Sequence, residues 1–258
     1  MPLGMPGTFM HRAGGYSHRT EATLTYNMYV EMVAQGNCIG RTFTPIVVMQ
    51  ASRRQQNQAL TGESTQQMQQ CCCSQGPIHM KAMFDKDTCT SDDTMMATVE
   101  VDMTEVKKGK INANRVSVTK NLMLRTNMGR SKYFSQNIVT VDLPGLNAGE
   151  KTDQASTASI NFSQLGDPFF PPEYAGQLGQ YAGKVQQTVN GNLINHYYEF
   201  QVVSMMDTAC ASCHQQPRVM TPLEVTAPQY ILTTLVYEPL PVGAPTAGPM
   251  PVDGTMHT

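Results

Sequence analysis

Cys210, Cys213 and His214 stand in the order Cys-Ala-Ser-Cys-His, a spacing open to two chemistries. Two thiols that can form thioethers, followed at once by an imidazole that can ligate iron, fit covalent haem attachment. The same Cys-x-x-Cys pair is half of a tetrahedral zinc site, with His214 as a third ligand. Haem attachment needs a helical wrap and a second axial ligand. The flanking residues read instead as two strands, which puts the motif at a hairpin tip and favours zinc over haem. The rest of a zinc site would have to come from Cys71, Cys72, Cys73 or Cys89. Unligated cysteines in a turn are the plainer reading and outweigh both metals, so no cofactor is expected.

Pro171, Pro172 and Tyr174 form a Pro-Pro-x-Tyr segment. WW domains bind such segments because the proline pair presets a polyproline II ridge and the tyrosine fills a groove beside it. That would make the chain a trafficking adaptor that recruits a ubiquitin ligase. Phe169 and Phe170 flank the segment, and packing of the loop through them is the favoured reading. Lys107, Lys108 and Lys110 with Arg115 make a basic turn able to touch phosphate or lipid headgroups, against the default of a solvated hairpin. Ser, His and Asp are scattered without a nucleophile elbow, and no phosphate-cradling glycine loop follows a strand. His196 alternates with core positions and reads as structural. A non-enzyme is expected.

The chain has 258 residues, 40% of them hydrophobic and 15% charged, with a formal net charge of −2. Such a balance offers no field that would concentrate nucleic acid. Trp is absent and Met numbers 19, which suits adaptable contact surfaces. No apolar run is long enough for a transmembrane helix, so membrane association would be peripheral. Met1–Arg19 lacks the apolar stretch of a secretory signal. Seven cysteines, three of them adjacent, argue for a reducing compartment, and the cytoplasm is expected.

Period-two alternation dominates the chain and predicts an all-β protein. Thr23–Val33 and Arg41–Met49 make a hairpin about Gln35-Gly36-Asn37. Residues 51–75 read as a Gln- and Cys-rich linker with room for a short helical piece. Strands follow at 78–84, 95–103, 111–125, 133–143, 158–162, 193–203 and 219–225, with one more apolar stretch at 230–237. About seven strands over residues 76–226 match one antiparallel immunoglobulin-like sandwich. Residues 239–258 are a Pro- and Gly-rich tail. The hairpin within residues 1–50 is too small to stand alone, and must belong to a second, partial β-unit or lean on the main sandwich.

Four segments in order resemble the arrestin family. They are Leu3-Gly4-Met5-Pro6-Gly7-Thr8-Phe9, Ala22–Val30, Cys71-Cys72-Cys73-Ser74-Gln75-Gly76-Pro77-Ile78 and His196–Val202. The resemblance implies two tandem β-sandwich lobes. Residues 1–50 would be the end of an incomplete N-lobe, and 76–238 a C-lobe. It departs from the family where Cys89-Thr90-Ser91-Asp92-Asp93 replaces a Pro-Gly-Glu turn, and the basic residues that engage phosphorylated receptor tails have no counterpart. The implied role is a non-catalytic scaffold, adaptor or accessory subunit that binds proteins within a multi-subunit assembly, not receptor desensitisation.

Overall fold

Alternating side chains become strands nearly wherever the sequence shows them. A computed structural model describes residues 6–13, 20–48, 58–70, 73–178, 182–207 and 215–226. The strands are β1 (Phe9–Ala13), β2 (Thr20–Leu24), β3 (Tyr26–Ala34), β4 (Asn37–Ile46), β5 (Leu60–Gln70), β6 (Cys73–Phe84), β7 (Thr88–Thr90), β8 (Thr94–Asp102), β9 (Lys110–Arg125), β10 (Ser131–Asn147), β11 (Ser156–Asn161), β12 (Val189–Asn190), β13 (Ile194–Met206) and β14 (Arg218–Thr226). Helix is confined, among the described residues, to single turns at Phe162–Gln164 and Pro172–Leu178. No helix among them is long and apolar enough to cross a membrane. The stretch 230–237 and the tail lie outside the described residues.

Two sheets face each other across one core. The smaller runs β11-β8-β6-β5 and the larger β10-β9-β13-β14-β7, with β12 beside β14 on the same edge of β13. Pairing is antiparallel except between β14 and β7, which run parallel through Glu224↔Thr88 to Thr226↔Thr90. Ile78, Met80, Ala82 and Phe84 of β6 point inward at every second position, as do Val116 and Val118 of β9 and Phe200 and Val202 of β13. Phe84 meets Phe200 across the layers, with ring centroids 4.7 Å apart.

Two sequence expectations are corrected here. The Gln-rich stretch read as a linker is strand β5, paired along β6 from Leu60↔Phe84 to Gln70↔Cys73. Its period-two signal is hidden because Thr and Gln, rather than apolar residues, occupy most positions of an edge strand. Only Leu60 and Met68 reach the core. Gly76, in that same hairpin, has φ 125°, and a Cβ there would lie 2.2 Å from the Glu105 carbonyl oxygen. The loop after β8 therefore closes tightly against β6, with Lys107 N–H donating to the Gln75 carbonyl at 2.8 Å.

The second correction concerns Thr23–Val33, read as one strand. The chain breaks at Thr25: β2 pairs with β1 (Phe9↔Leu24), while β3 pairs, among the described residues, only with β4. Gln35 (φ 51°) and Gly36 (φ 78°) make the tight turn of the β3–β4 ribbon, a backbone that glycine at the second position accommodates. β1 does lean on the main sandwich. Phe9 packs with Leu122 and Val189 in a small second cluster. The Gln186 side chain accepts from Met10 N–H (2.8 Å) and donates to the Met10 carbonyl (2.6 Å), as a neighbouring strand would.

Candidate functional sites

On β9, Val116, Val118, Lys120 and Leu122 alternate and share one face. Val116 and Val118 belong to the main core and Leu122 to the small cluster, so Lys120 lies on the core face where one cluster gives way to the other. Its side chain is 3% exposed and its ammonium is 2.5 Å from Oδ2 of Asp167, itself 1% exposed. A buried ion pair persists only when the remaining valences are met. Here Gln186 donates to the same Oδ2 at 2.5 Å, and Asp167 Oδ1 accepts from Phe169 N–H at 3.0 Å. The ammonium also lies between the Phe9 and Phe169 rings, 5.6 and 5.5 Å from their centroids. Burial pushes the Lys120 ammonium below the ordinary lysine range, and Asp167 opposes that shift.

Register brings further polar groups to this face. Opposite Lys120 stand Gln136 on β10 and Tyr198 on β13. Opposite Leu122 stand Phe134 and His196. His196 is fully buried, its Nδ1 3.0 Å from the Gln187 carbonyl. Desolvation, and then the Lys120 charge, hold it well below the usual histidine value. His11 of β1 is 1% exposed, among the rings of Phe9, Phe134 and Phe169. Neither of its ring nitrogens has a hydrogen-bond partner among the described residues. Burial, and then Lys120, lower its pKa from 6.5 to about 4, with Asp167 opposing, so the ring is neutral at physiological pH. A cleft of about 470 Å³ opens over His11 and Lys120, walled by Phe134 and Phe169 and rimmed by Tyr133 and Gln136.

A second feature is the β3–β4 ribbon. Tyr29 and Phe43 pair across it, ring centroids 5.9 Å apart, on the face that also carries the Glu31–Arg41 ion pair. Met28, Val30 and Met32 line the other face. All of these apolar side chains are open to solvent, Met32 and Phe43 each 64% exposed.

The sites expected from sequence fare unevenly. Cys210, Cys213 and His214 lie outside the described residues, as do Cys71 and Cys72. Cys73 is exposed at the start of β6. Cys89, one of the expected completing ligands, is in the main core with its thiol pushed far up by desolvation. No group of three or more metal-ligating side chains comes together among the described residues. Pro171, Pro172 and Tyr174 are not a polyproline ridge throughout: Pro172–Tyr174 is a turn of 3-10 helix. The Tyr174 hydroxyl donates to Glu21 at 2.9 Å, and Glu173 pairs with Arg12. Phe169, flanking the segment, packs on His11. Arg115 leaves the basic turn and makes a two-pronged pair with Asp142, at 2.8 and 3.0 Å.

The polar cluster about Lys120 and Asp167 was missed by the sequence reading. Its signal was a lysine in an apolar slot of β9, two residues from Val118 and two from Leu122. Compared with known proteins, the chain matches no family model and no curated protein.

Proposed function

We propose that this chain is a non-catalytic, arrestin-like scaffold or accessory subunit whose β3–β4 ribbon is covered by a partner protein within a larger assembly. The ribbon carries the reading. A two-stranded ribbon is marginal in water, and this one has apolar side chains on both faces. Covering a side chain such as Met32 or Phe43 gains roughly 1.5–3 kcal/mol each, enough for several together to hold a complex. The free edges of β3 and β4 could also extend a partner's sheet through backbone hydrogen bonds. The immunoglobulin-like sandwich type is supported by the two-layer core, and the arrestin likeness by the four sequence segments. An intracellular setting rests on the odd cysteine count.

The test is co-purification with the tagged chain, comparing wild type with a Met32→Lys, Phe43→Lys variant. Companions held by the wild type and lost from the variant support the reading. A wild-type chain that is monomeric by light scattering and holds no companion, or companions indifferent to the substitutions, would overturn it. The ubiquitin-ligase adaptor reading through Pro171–Tyr174 is weaker, because the 3-10 turn and the Tyr174–Glu21 bond would have to open first.

A further inference from the structure

A histidine this deeply enclosed, with both ring nitrogens unpartnered among the described residues, is rare in folded proteins and has hydrogen-bonding capacity to offer a bound group. His11 lies against an open cleft, and the cleft has a distinct chemistry. Lys120 is the charged residue that lines it, and Asp167, buried behind that ammonium, balances the charge, so the pair sums to zero. Its walls are aromatic, and its one cation has donors left over, because an ammonium has three and the Asp167 contact uses one. From these features we propose that the cleft over His11 and Lys120 is a binding site for a carboxylate group carried on an apolar or aromatic body. This site is separate from the ribbon and does not depend on the function proposed above.

The charge balance selects the ligand. One carboxylate oxygen would accept from Lys120 and the other from His11, while the body lies against Phe134 and Phe169. The ring takes a proton from solvent as the anion enters, so the occupied cleft remains neutral. No bond other than to that proton is made or broken. A phosphate dianion fits less well, because it would bring a second negative charge close to Asp167, and Lys132, the further cation over the Phe134 ring, does not line the cleft. The groups that act on His11 are Lys120 on the larger sheet and Asp167 on its loop, and His11 in turn lowers His196 on β13. Lys132, over the Phe134 ring at 5.0 Å, adds positive charge nearby.

The experiment uses the full chain with phenylacetate as the probe, followed by His11 imidazole resonances and by calorimetry in two buffers of different ionisation heat. Saturable binding with uptake of close to one proton at neutral pH is expected. Affinity should fall about tenfold for each pH unit above neutrality, because the bound form holds the proton that the free form lacks. Gln136→Trp, which fills the exposed mouth and leaves the core alone, should abolish binding with the melting temperature unchanged. His11→Phe should do the same if it folds, and Gln136→Trp decides the matter if it does not. A peptide ending in a free Phe carboxylate, run against its C-terminal amide, separates the sources. Tighter binding of the acid peptide than of phenylacetate points to a partner's chain end, and equal binding to a free metabolite. Absence of binding at millimolar probe, binding without proton uptake, or equal binding of inorganic phosphate would each overturn the proposal.

Discussion

Acidification should loosen the attachment of the N-terminal arm, and His11 sets the window. In the folded chain its pKa is about 4, against 6.5 when free. The folded value is depressed, so the unfolded chain takes up the proton first. Stability from this group is therefore complete above 6.5 and is lost as pH falls toward 4. At face value the shift corresponds to roughly 3 kcal/mol. The adjoining cleft admits water that screens part of it, so about 2 kcal/mol is expected. His196 acts in the same direction from its place beneath Phe9, ring centroids 4.8 Å apart. The assay is urea unfolding across that pH range, followed by circular dichroism, for wild type and His11→Phe. A phenyl ring suits the surrounding Phe9, Phe134 and Phe169 and carries no unpartnered nitrogen, so the variant should be as stable as wild type or more so at neutral pH. Its stability should fall less steeply below 6.5. Superimposable pH profiles for the two proteins would refute the reasoning.

Three other outcomes can be measured. Asp167→Asn leaves a buried ammonium without its counter-charge and should cost about 3–5 kcal/mol in urea unfolding, while the paired change Lys120→Met, Asp167→Leu should recover most of that. Loss of stability in the double variant equal to the single one would show that the ion pair itself is needed. Gly76→Ala should destabilise by at least about 1–3 kcal/mol, since the backbone is left-handed there and the Glu105 carbonyl blocks a side chain. A peptide spanning Phe169–Ala175 should bind a WW domain in fluorescence anisotropy, whereas the folded chain should not until Glu21→Ala frees the Tyr174 hydroxyl. Equal binding by the folded wild-type chain would show that the turn opens readily.

How far the fold could be read from sequence depends on what each strand buries. β8, β13 and β14 have one apolar face against one core, so period two is plain in Met95–Val101, Tyr198–Val202 and Val219–Val225. β5 lies at a sheet edge and spends little apolar surface, so glutamines conceal it. β9 is the opposite case. Every residue from Val116 to Leu122 is buried, because the second sheet and the arm cover one face while side chains of β10 reach over the other, with Tyr133 donating to Asn121 at 2.5 Å and Thr119 to Asn137 at 2.6 Å. The second face is polar all the same, with Ser117, Thr119 and Asn121, so period two survives in Val116, Val118, Leu122 and Leu124 and the strand is legible at 111–125. The break at Thr25 was illegible for a different reason. Both halves favour strand, and only tertiary pairing decides that β2 follows β1 while β3 departs with β4.

The site was harder to read than the fold because its members are close only in space. His11, Lys120, Asp167 and Gln186 come from an arm, a central strand and a long loop, and no spacing in the chain links them. One residue nevertheless betrays the cluster. An ammonium on the inward face of a strand must meet a counter-charge or unfold the sheet locally, so Lys120 by itself requires a carboxylate from elsewhere in the chain. Asp167 meets it from the 166–188 loop, and Gln186, nineteen residues further along that loop's course, ties the same carboxylate oxygen to the backbone of β1. A single buried lysine thus accounts for three things at once: why the loop folds back over the larger sheet, why a glutamine takes the place of a strand neighbour to β1, and why the arm is held on the sandwich.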